Sequence, residues 1–275
     1  AVIEGTFWSE WPGINALRED LAKTLSREKD YESRLNASRR WGREWHFRIG
    51  VHLLRGVITP EMAGFQYGEL ALATLEELWC LVNLQFSKKY GSPPGRGAVL
   101  IGLGSLGTKR LHSKSDLDLI LIYDSAGVEM SDGKKAINSS TYYARLTKSM
   151  VAAIGAPMTE MSLFQVDMRL RPSGNQGPVA TSWEAFKHYQ TSEAWVWEHL
   201  ALVNATIITG PESLKAEVSE FCKSLKTLRR DERVLSGLSI MRKRLFSSRS
   251  VDAKWSLKLG QGKLQDIELV SQMGI

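Results

Sequence analysis

The chain has 275 residues, of which 43% are hydrophobic and 24% are charged, so its composition is that of a folded protein and argues against intrinsic disorder. The 36 Lys and Arg residues against 30 Asp and Glu residues give a formal net charge of +6. This basic balance favours a polyanionic partner, such as a nucleoside triphosphate, a nucleic acid or an acidic protein, without choosing among them.

Several classes of protein are disfavoured by what the sequence lacks. No apolar stretch approaches the roughly 18–20 residues of a membrane span, and no secretory signal is visible. The two cysteines, Cys80 and Cys222, give neither a disulfide framework nor a zinc site. We therefore predict a cytoplasmic protein without a membrane anchor. The missing initiator Met and a helical pattern that continues to Ile275 indicate a fragment of a longer chain.

The first third of the chain has the periodicity of helices. From Asn15 to Lys89 apolar residues recur three and four apart, and a helix is predicted from Pro60 to Phe86. The glycine- and proline-rich run from Gly91 to Gly97 is typical of a linker or long turn. Residues 1–92 are thus predicted to form a helical N-terminal segment.

After this linker the periodicity is that of strands. Three strands are predicted, at Ala98–Ile101, at Leu117–Tyr123 and from Ser162 to Leu170, the last ending before Pro172. Helices resume near Thr181, which has capping-box spacing with Glu184, and again at Pro211. The pattern predicts an α+β fold with a sheet domain over residues 93–210 and the start of a truncated helical domain over 211–275.

The glycine-rich segment after the first strand admits two interpretations. A dinucleotide-binding fingerprint is suggested by the glycines at 102, 104 and 107 and the acidic residue at 124. However, the short segment Thr108–Ser115 leaves little room for a crossover helix. A parallel strand buried on both faces also should not begin with Asp116 and Asp118.

The second interpretation gives these aspartates a function. Asp116 and Asp118 lie on one face of a strand, roughly 7 Å apart, because side chains alternate. A divalent cation between them would remove their repulsion, and hard oxygen ligands suit Mg²⁺. Gly104 and Ser105 offer backbone N–H groups and a hydroxyl to phosphate. A solvated edge strand remains the alternative for the Asp-x-Asp pair.

The third predicted strand adds further polar groups. By alternation, Asp167, Arg169 and Arg171 project from one face while apolar residues anchor the other. With Asp116 and Asp118, Asp167 would complete a three-carboxylate, two-metal site for displacement at phosphorus. The two arginines are predicted to clamp phosphate oxygens, with surface ion pairing as the alternative, especially for Arg171.

These motifs resemble known families at two levels. Gly104-Ser105, ten intervening residues, Asp116-x-Asp118 and a later strand with Asp167 resemble the DNA polymerase β-type nucleotidyltransferases. More specifically, the chain resembles the glutamine-synthetase adenylyltransferase family in three segments, at residues 166–174, 193–202 and 257–268. The resemblance implies a polymerase β-like nucleotidyltransferase sheet flanked by mainly helical N- and C-terminal segments.

The resemblance also implies an activity, which is Mg²⁺-dependent transfer of AMP from ATP to a tyrosine hydroxyl of glutamine synthetase, in regulation of nitrogen metabolism. The residues matching the family's motifs are then the metal ligands Asp116, Asp118 and Asp167, with Gly104, Ser105, Arg169, Arg171 and Lys258 at the nucleotide. The forms at Arg171–Gly174 and Trp195–His199 are closer to the AMP-attaching domain of the family than to its AMP-removing domain.

Two other functions stay open. The chain could be the deadenylylating, phosphorolytic domain of the same family, or a non-catalytic module that docks glutamine synthetase or a PII-type signal protein. Nucleic acid is an unlikely acceptor, because the basic residues form no dense patch interleaved with aromatic residues. One departure from the family's motifs concerns the site itself, since Ser105 stands where the family usually has Lys.

Overall fold

A computed structural model describes residues 5–155, 163–227, 240, 257 and 262–273. Its N-terminal part begins with a short 3₁₀ turn at Gly5–Trp8. Three α-helices follow, which are α1 (Gly13–Ser26), α2 (Tyr31–Leu54) and α3 (Pro60–Tyr90). This confirms the helical reading of the first third of the chain.

Local sequence explains where these helices begin. Asp30 precedes α2, and its carboxylate accepts the backbone N–H of Ser33 at 2.9 Å. Thr59 precedes α3 and accepts the N–H of Met62 at 3.3 Å, while Pro60 occupies the first turn, where no backbone donor is needed. The two helices therefore start at residues that satisfy otherwise unpaired N–H groups.

The sheet is mixed, and the fold is α+β. Its strands are β1 (Gly97–Gly102), β2 (Leu117–Asp124), β3 (Val166–Asp167), β4 (Thr181–Ser182) and β5 (Thr206–Thr209). The strand order is β3-β2-β1-β5, and β4 also pairs with β2. β1 is antiparallel to both β2 and β5, whereas β3 and β4 run parallel to β2, beside its beginning and its end respectively.

Strand β2 lies at the centre of the sheet and contributes to a hydrophobic core on each side. One face packs into the larger core, which continues into α1, α2 and α3, through Leu117, Leu119, Leu121 and Tyr123. The other face packs with β1 and with helices that come after β4 in the chain, through Ile120 and Ile122. Alternation along the strand therefore predicts both faces correctly.

The remaining described helices are α4 (Gly104–Gly107), α5 (Ser139–Gly155), α6 (Trp183–Ser192), α7 (Val196–Val203), α8 (Glu212–Thr227) and α9 (Leu264–Met273).

The predicted capping box at Thr181 is displaced by one residue. Thr181 is buried in β4 opposite Ile122, and the hydroxyl of Ser182 instead accepts the N–H of Ala185 at 3.2 Å.

The third strand is shorter than predicted. The residues before 163 lie outside the described part of the chain, and β3 ends at Asp167. The reason is that the Asp167 carboxylate accepts the backbone N–H of Arg169 at 2.8 Å, which closes a turn. Alternation consequently breaks, since Met168 packs against the larger core but Leu170 packs against the other one.

The antiparallel pairing of β1 and β2 excludes the dinucleotide-binding interpretation. That fold requires a parallel pair joined by a crossover helix, whereas here the four-residue helix α4 and a loop join two antiparallel strands. Among the residues that the structure describes, no helix has the length and apolar character needed to cross a membrane.

The core on the α3 side of the sheet should dominate stability. Leu75 in α3 is fully buried, so Leu75→Ala is expected to lower the free energy of unfolding by about 2–5 kcal/mol. Leu54, at the end of α2, is 88% exposed, and Leu54→Ala makes the same chemical change without leaving a cavity. Urea denaturation of both variants tests this; equal losses would contradict the assigned core.

Candidate active site

Two of the predicted acidic residues lie side by side on adjacent strands. β2 and β3 are parallel, and their register pairs Leu117 with Val166 and Asp118 with Asp167. Paired residues on neighbouring strands point to the same face and are separated by about 5 Å. Asp118 and Asp167 are both half-buried, at the edge of the smaller core. The structure therefore brings these two carboxylates together.

The glycine turn after β1 lies directly against Asp118. The backbone N–H of Leu103 donates to the Asp118 carbonyl at 2.9 Å, which ties the turn to β2. Gly104 has a φ of +53°, and a Cβ at this position would lie 2.5 Å from Asp118 Oδ2. Only glycine allows this approach, so Gly104 and Ser105 at the start of α4 are adjacent to the carboxylate.

Asp116 is placed differently from the other two acidic residues. It precedes β2, it is exposed, and the next residue, Leu117, donates its N–H to Gln165 O at 2.8 Å. Asp116 is therefore at the mouth of the site. Within the described ranges, no group of three His, Cys, Asp or Glu side chains lies close enough together to hold a metal ion.

Arg169 closes back onto Asp167. Its Nε and Nη2 donate to Asp167 Oδ2 at 2.7 Å and 2.5 Å, while its backbone N–H donates to Oδ1. This guanidinium holds the pKa of Asp167 below its usual value, although partial burial acts in the opposite direction. The carboxylates of Asp167, Asp118 and Asp116 together raise the pKa of Arg169, so the guanidinium lies in the field of all three.

Arg171 and Lys258 were also predicted to bind phosphate. Arg171 turns into its own loop, where Nη1 donates to Met168 O at 2.7 Å and Nε donates to Gly177 O at 3.3 Å. It thus stabilises the loop after β3, and its contact with phosphate stays a prediction. Lys258 lies outside the described residues.

The acidic pair could hold a magnesium ion, and the two-metal site predicted for all three carboxylates stays a prediction. Mg²⁺ is commonly bound through one or two carboxylates, with water and substrate phosphates completing its coordination. Asp118 and Asp167 could supply two such carboxylates, and the absence of a side chain at Gly104 allows the turn to approach Asp118 Oδ2 closely. Asp116, at the mouth of the site, could contribute a third carboxylate.

A half-buried glutamate lies between α6 and α7. Glu198 of α7 accepts a hydrogen bond from the Tyr189 hydroxyl of α6 at 3.0 Å through Oε1. Its Oε2 is buried and has no hydrogen-bond partner among the described residues. Burial raises the pKa of Glu198. Burial is also the main cause of the raised pKa of Tyr189, and the hydrogen bond to Glu198 raises it further.

Sequence comparisons show the family to which the chain belongs. Residues 2–221 match the family model described as glutamate-ammonia ligase adenylyltransferase. The chain belongs to this family. Relatives named bifunctional glutamine synthetase adenylyltransferase/adenylyl-removing enzyme include those of Mesorhizobium japonicum, 38% identical over 100% of the chain, Brucella suis, 38% over 98%, and Agrobacterium fabrum, 36% over 98%. The chain spans 28% of the length of each of these relatives.

Sequence reasoning missed two features of this candidate site. One is the Asp167–Arg169 bond, whose signal was the Asp-x-Arg spacing at a strand end, where aspartate often binds the backbone two residues later. The other is a set of contacts between the helical segment and the loop before Asp116, which Gly64 and Gly68, four residues apart in α3, could have indicated.

Gly104→Ala should disrupt the acidic pair. The added Cβ would collide with Asp118 Oδ2, so we expect Mn²⁺ affinity, measured by electron paramagnetic resonance, to fall by about 10–100-fold. Gly127 also has a positive φ, of +79°, but nothing lies within 4 Å of its added Cβ. Gly127→Ala is therefore the matched control for backbone strain, and equal loss in both variants would refute a specific role for the turn.

Glu198→Gln should stabilise the protein near neutral pH. Because the folded-state pKa of Glu198 is raised, its contribution to stability is greatest below the unfolded pKa and is lost as pH rises through the folded value. The neutral amide lacks this loss, so the stability advantage of the variant should grow from pH 4 to pH 7 in urea denaturation. Glu220→Gln, at an exposed position of α8, is the control. A pH-independent difference for Glu198→Gln would contradict the burial argument.

Proposed function

We propose that this chain transfers AMP from ATP to a tyrosine hydroxyl of glutamine synthetase, as the adenylylating unit of a longer enzyme. The observation that carries the proposal is the register pairing of Asp118 with Asp167 directly behind the Gly104 turn. Membership of the adenylyltransferase family and the printed names of the relatives support the chemistry and the acceptor protein.

The proposed fold type is that of the polymerase β-like nucleotidyltransferases. Three features support it, namely a glycine turn after β1, an antiparallel β2 that carries Asp118 near its start, and a third acidic residue on a strand parallel to β2. Together they arrange carboxylates and backbone N–H groups around one point at the edge of the sheet, which is what phosphoryl-group chemistry requires.

Asp118 and Asp167 would hold Mg²⁺, with Asp116 joining from the mouth of the site. The ion would supply positive charge to the triphosphate oxygens and to the leaving pyrophosphate. Asp167 would also orient the tyrosine hydroxyl and accept its proton as the oxygen attacks the α-phosphorus. The lowered pKa of Asp167 keeps it ionised and able to bind metal at neutral pH, although it makes Asp167 a weak base.

Gly104, Ser105 and Arg169 would bind the triphosphate. The first two present backbone N–H groups and a hydroxyl beside Asp118. The Arg169 side chain is 71% exposed, whereas that of Asp167 is 15% exposed, so the arginine is the partner with room to move. Arg169 would leave Asp167 when metal binds and would then contact a phosphate oxygen, which keeps the local charge balanced.

The removal of AMP by phosphorolysis is the second candidate, because the relatives' printed name carries both activities. The two directions are separable in one assay. Adenylylated glutamine synthetase labelled on its AMP group would lose that label to inorganic phosphate and release labelled ADP only if the chain removes AMP. A PII-type regulator and the cytoplasmic location stay predictions.

The decisive experiment incubates the chain with glutamine synthetase, Mg²⁺ and ATP labelled at the α-phosphate. We expect covalent label on the synthetase with the unmodified protein. With Asp118→Asn we expect a loss of at least about 100-fold, because a metal ligand that also positions the triphosphate is removed. Circular dichroism checks that the variant is folded.

Asp124→Asn provides the matched control for this experiment. Asp124 ends the same strand, about 20 Å from Asp118, where it forms a partly exposed ion pair with Arg96 at 3.1 Å. Its substitution makes the same change of charge away from the site and should leave labelling intact. Labelling by folded Asp118→Asn at the level of Asp124→Asn would overturn the metal-ligand role. Binding of the synthetase without Mg²⁺-dependent ATP binding would favour a docking module.

A further inference from the structure

The loop between α4 and β2, residues 108–116, lies against the N-terminal helical segment. The N–H of Leu111 donates to the carbonyl of Gly64 in α3 at 3.2 Å. A Cβ on Gly68, one turn later, would lie 2.8 Å from the Cα of Lys109. Because glycines four residues apart share one side of a helix, they form a shallow groove in which the loop backbone contacts α3 directly.

A histidine of α2 contacts the same loop closer to Asp116. His46 Nε2 is 3.2 Å from the carbonyl oxygen of Ser113, so this nitrogen is the donor. The imidazole also packs on Tyr67 of α3, with ring centroids 4.6 Å apart. Burial lowers the pKa of His46, which favours the neutral ring. Two helices therefore fix the position of the Ser113 carbonyl.

Inside the loop, that position is passed on to the start of β2. The N–H of His112 donates to the Ser115 hydroxyl at 2.9 Å, and the N–H of Ser115 donates to the His112 carbonyl at 3.0 Å. Residues 112–115 thus form a closed turn with Ser113 within it. Asp116 follows immediately, before Leu117 enters the sheet. A shift of this turn would move the Asp116 carboxylate.

We propose that His46 and Gly68 are positioning residues for Asp116, so that the metal affinity of the site depends on the helical segment. The inference rests on the proposed function, in which Asp116 joins the metal site once nucleotide and metal are present. Neither residue would touch metal or nucleotide. Both would act through the loop of residues 108–116, Gly68 by allowing its close approach and His46 by its hydrogen bond to Ser113.

The test measures Mn²⁺ affinity of the 275-residue chain by electron paramagnetic resonance, in the presence of α,β-methylene-ATP. Gly68→Ala should weaken Mn²⁺ binding by about 10–100-fold, as changes to supporting residues of metal sites do. Gly50→Ala is the matched control, because it also replaces a helical glycine, but its Cβ would meet only the Tyr67 hydroxyl at an ordinary 3.4 Å. Equal affinities for the two variants would overturn the proposal.

Substitutions at His46 separate positioning from general packing. His46→Ala should weaken Mn²⁺ binding, whereas His46→Gln, whose side-chain amide can also donate to Ser113 O, should recover most of the affinity. Equal loss in both, with circular dichroism unchanged, would contradict the role of the hydrogen bond.

A double-substitution cycle with Asp116→Asn identifies the residue through which the effect passes. If His46 and Gly68 act through Asp116, then Gly68→Ala should cause no further loss of Mn²⁺ affinity in the Asp116→Asn background. An undiminished further loss would overturn the proposal while leaving the proposed function standing. Absence of any Mn²⁺ binding by the unmodified chain would instead overturn the proposed function, and this inference with it.

Discussion

The register between β2 and β3 is the constraint on which the candidate site depends. From Leu119 to Tyr123, β2 is buried on both faces, so its position is fixed by two cores. A slip of one residue would exchange those faces and bury charge. The cores therefore determine where Asp118 points, and the short parallel pairing at Leu117–Val166 then brings Asp167 beside it. Chemistry at the sheet edge depends on packing at its centre.

Charge at this edge must be compensated, since two half-buried aspartates at paired positions of adjacent strands repel each other. Arg169 provides a positive charge through a side chain that is largely exposed, whereas Arg171 is engaged with carbonyl oxygens of its own loop. The two arginines, equivalent by alternation, therefore have different physical roles. In the proposed function Arg169 would exchange its partner for phosphate, whereas Arg171 maintains the shape of the loop that follows Asp167.

Much of this arrangement was predictable from local sequence. Alternation placed the two faces of β2, and proline placed the start of α3. The antiparallel sheet agrees with the objections to a dinucleotide fold. The third strand was predicted too long, because a side-chain to backbone bond at Asp167 ended it. Alternation alone cannot detect such a bond. The prediction of a common face for Asp167, Arg169 and Arg171 is therefore wrong from the turn onwards.

The contacts that were not predictable join residues far apart in the chain. His46 and Ser113 are separated by 67 positions, and no local pattern specifies their pairing. The larger core likewise runs without interruption from α1–α3 into β1, β2 and α5, across the predicted domain boundary between residues 92 and 93, which stays a prediction.

Such long-range contacts affect how precisely the residues of the candidate site are positioned. A displacement of about 1 Å can cost a catalyst roughly 100-fold, and surface loops are ordinarily the most mobile part of a fold. Direct backbone contact at Gly64 and Gly68 avoids the rotamer freedom of a long side chain and fixes the loop to a 31-residue helix. That helix is embedded in the core that also fixes β2. Asp116 and Asp118 are thus both connected to this core, Asp118 through the sheet and Asp116 through the loop that contacts α3, so an exposed residue at the mouth of the site has support from buried packing.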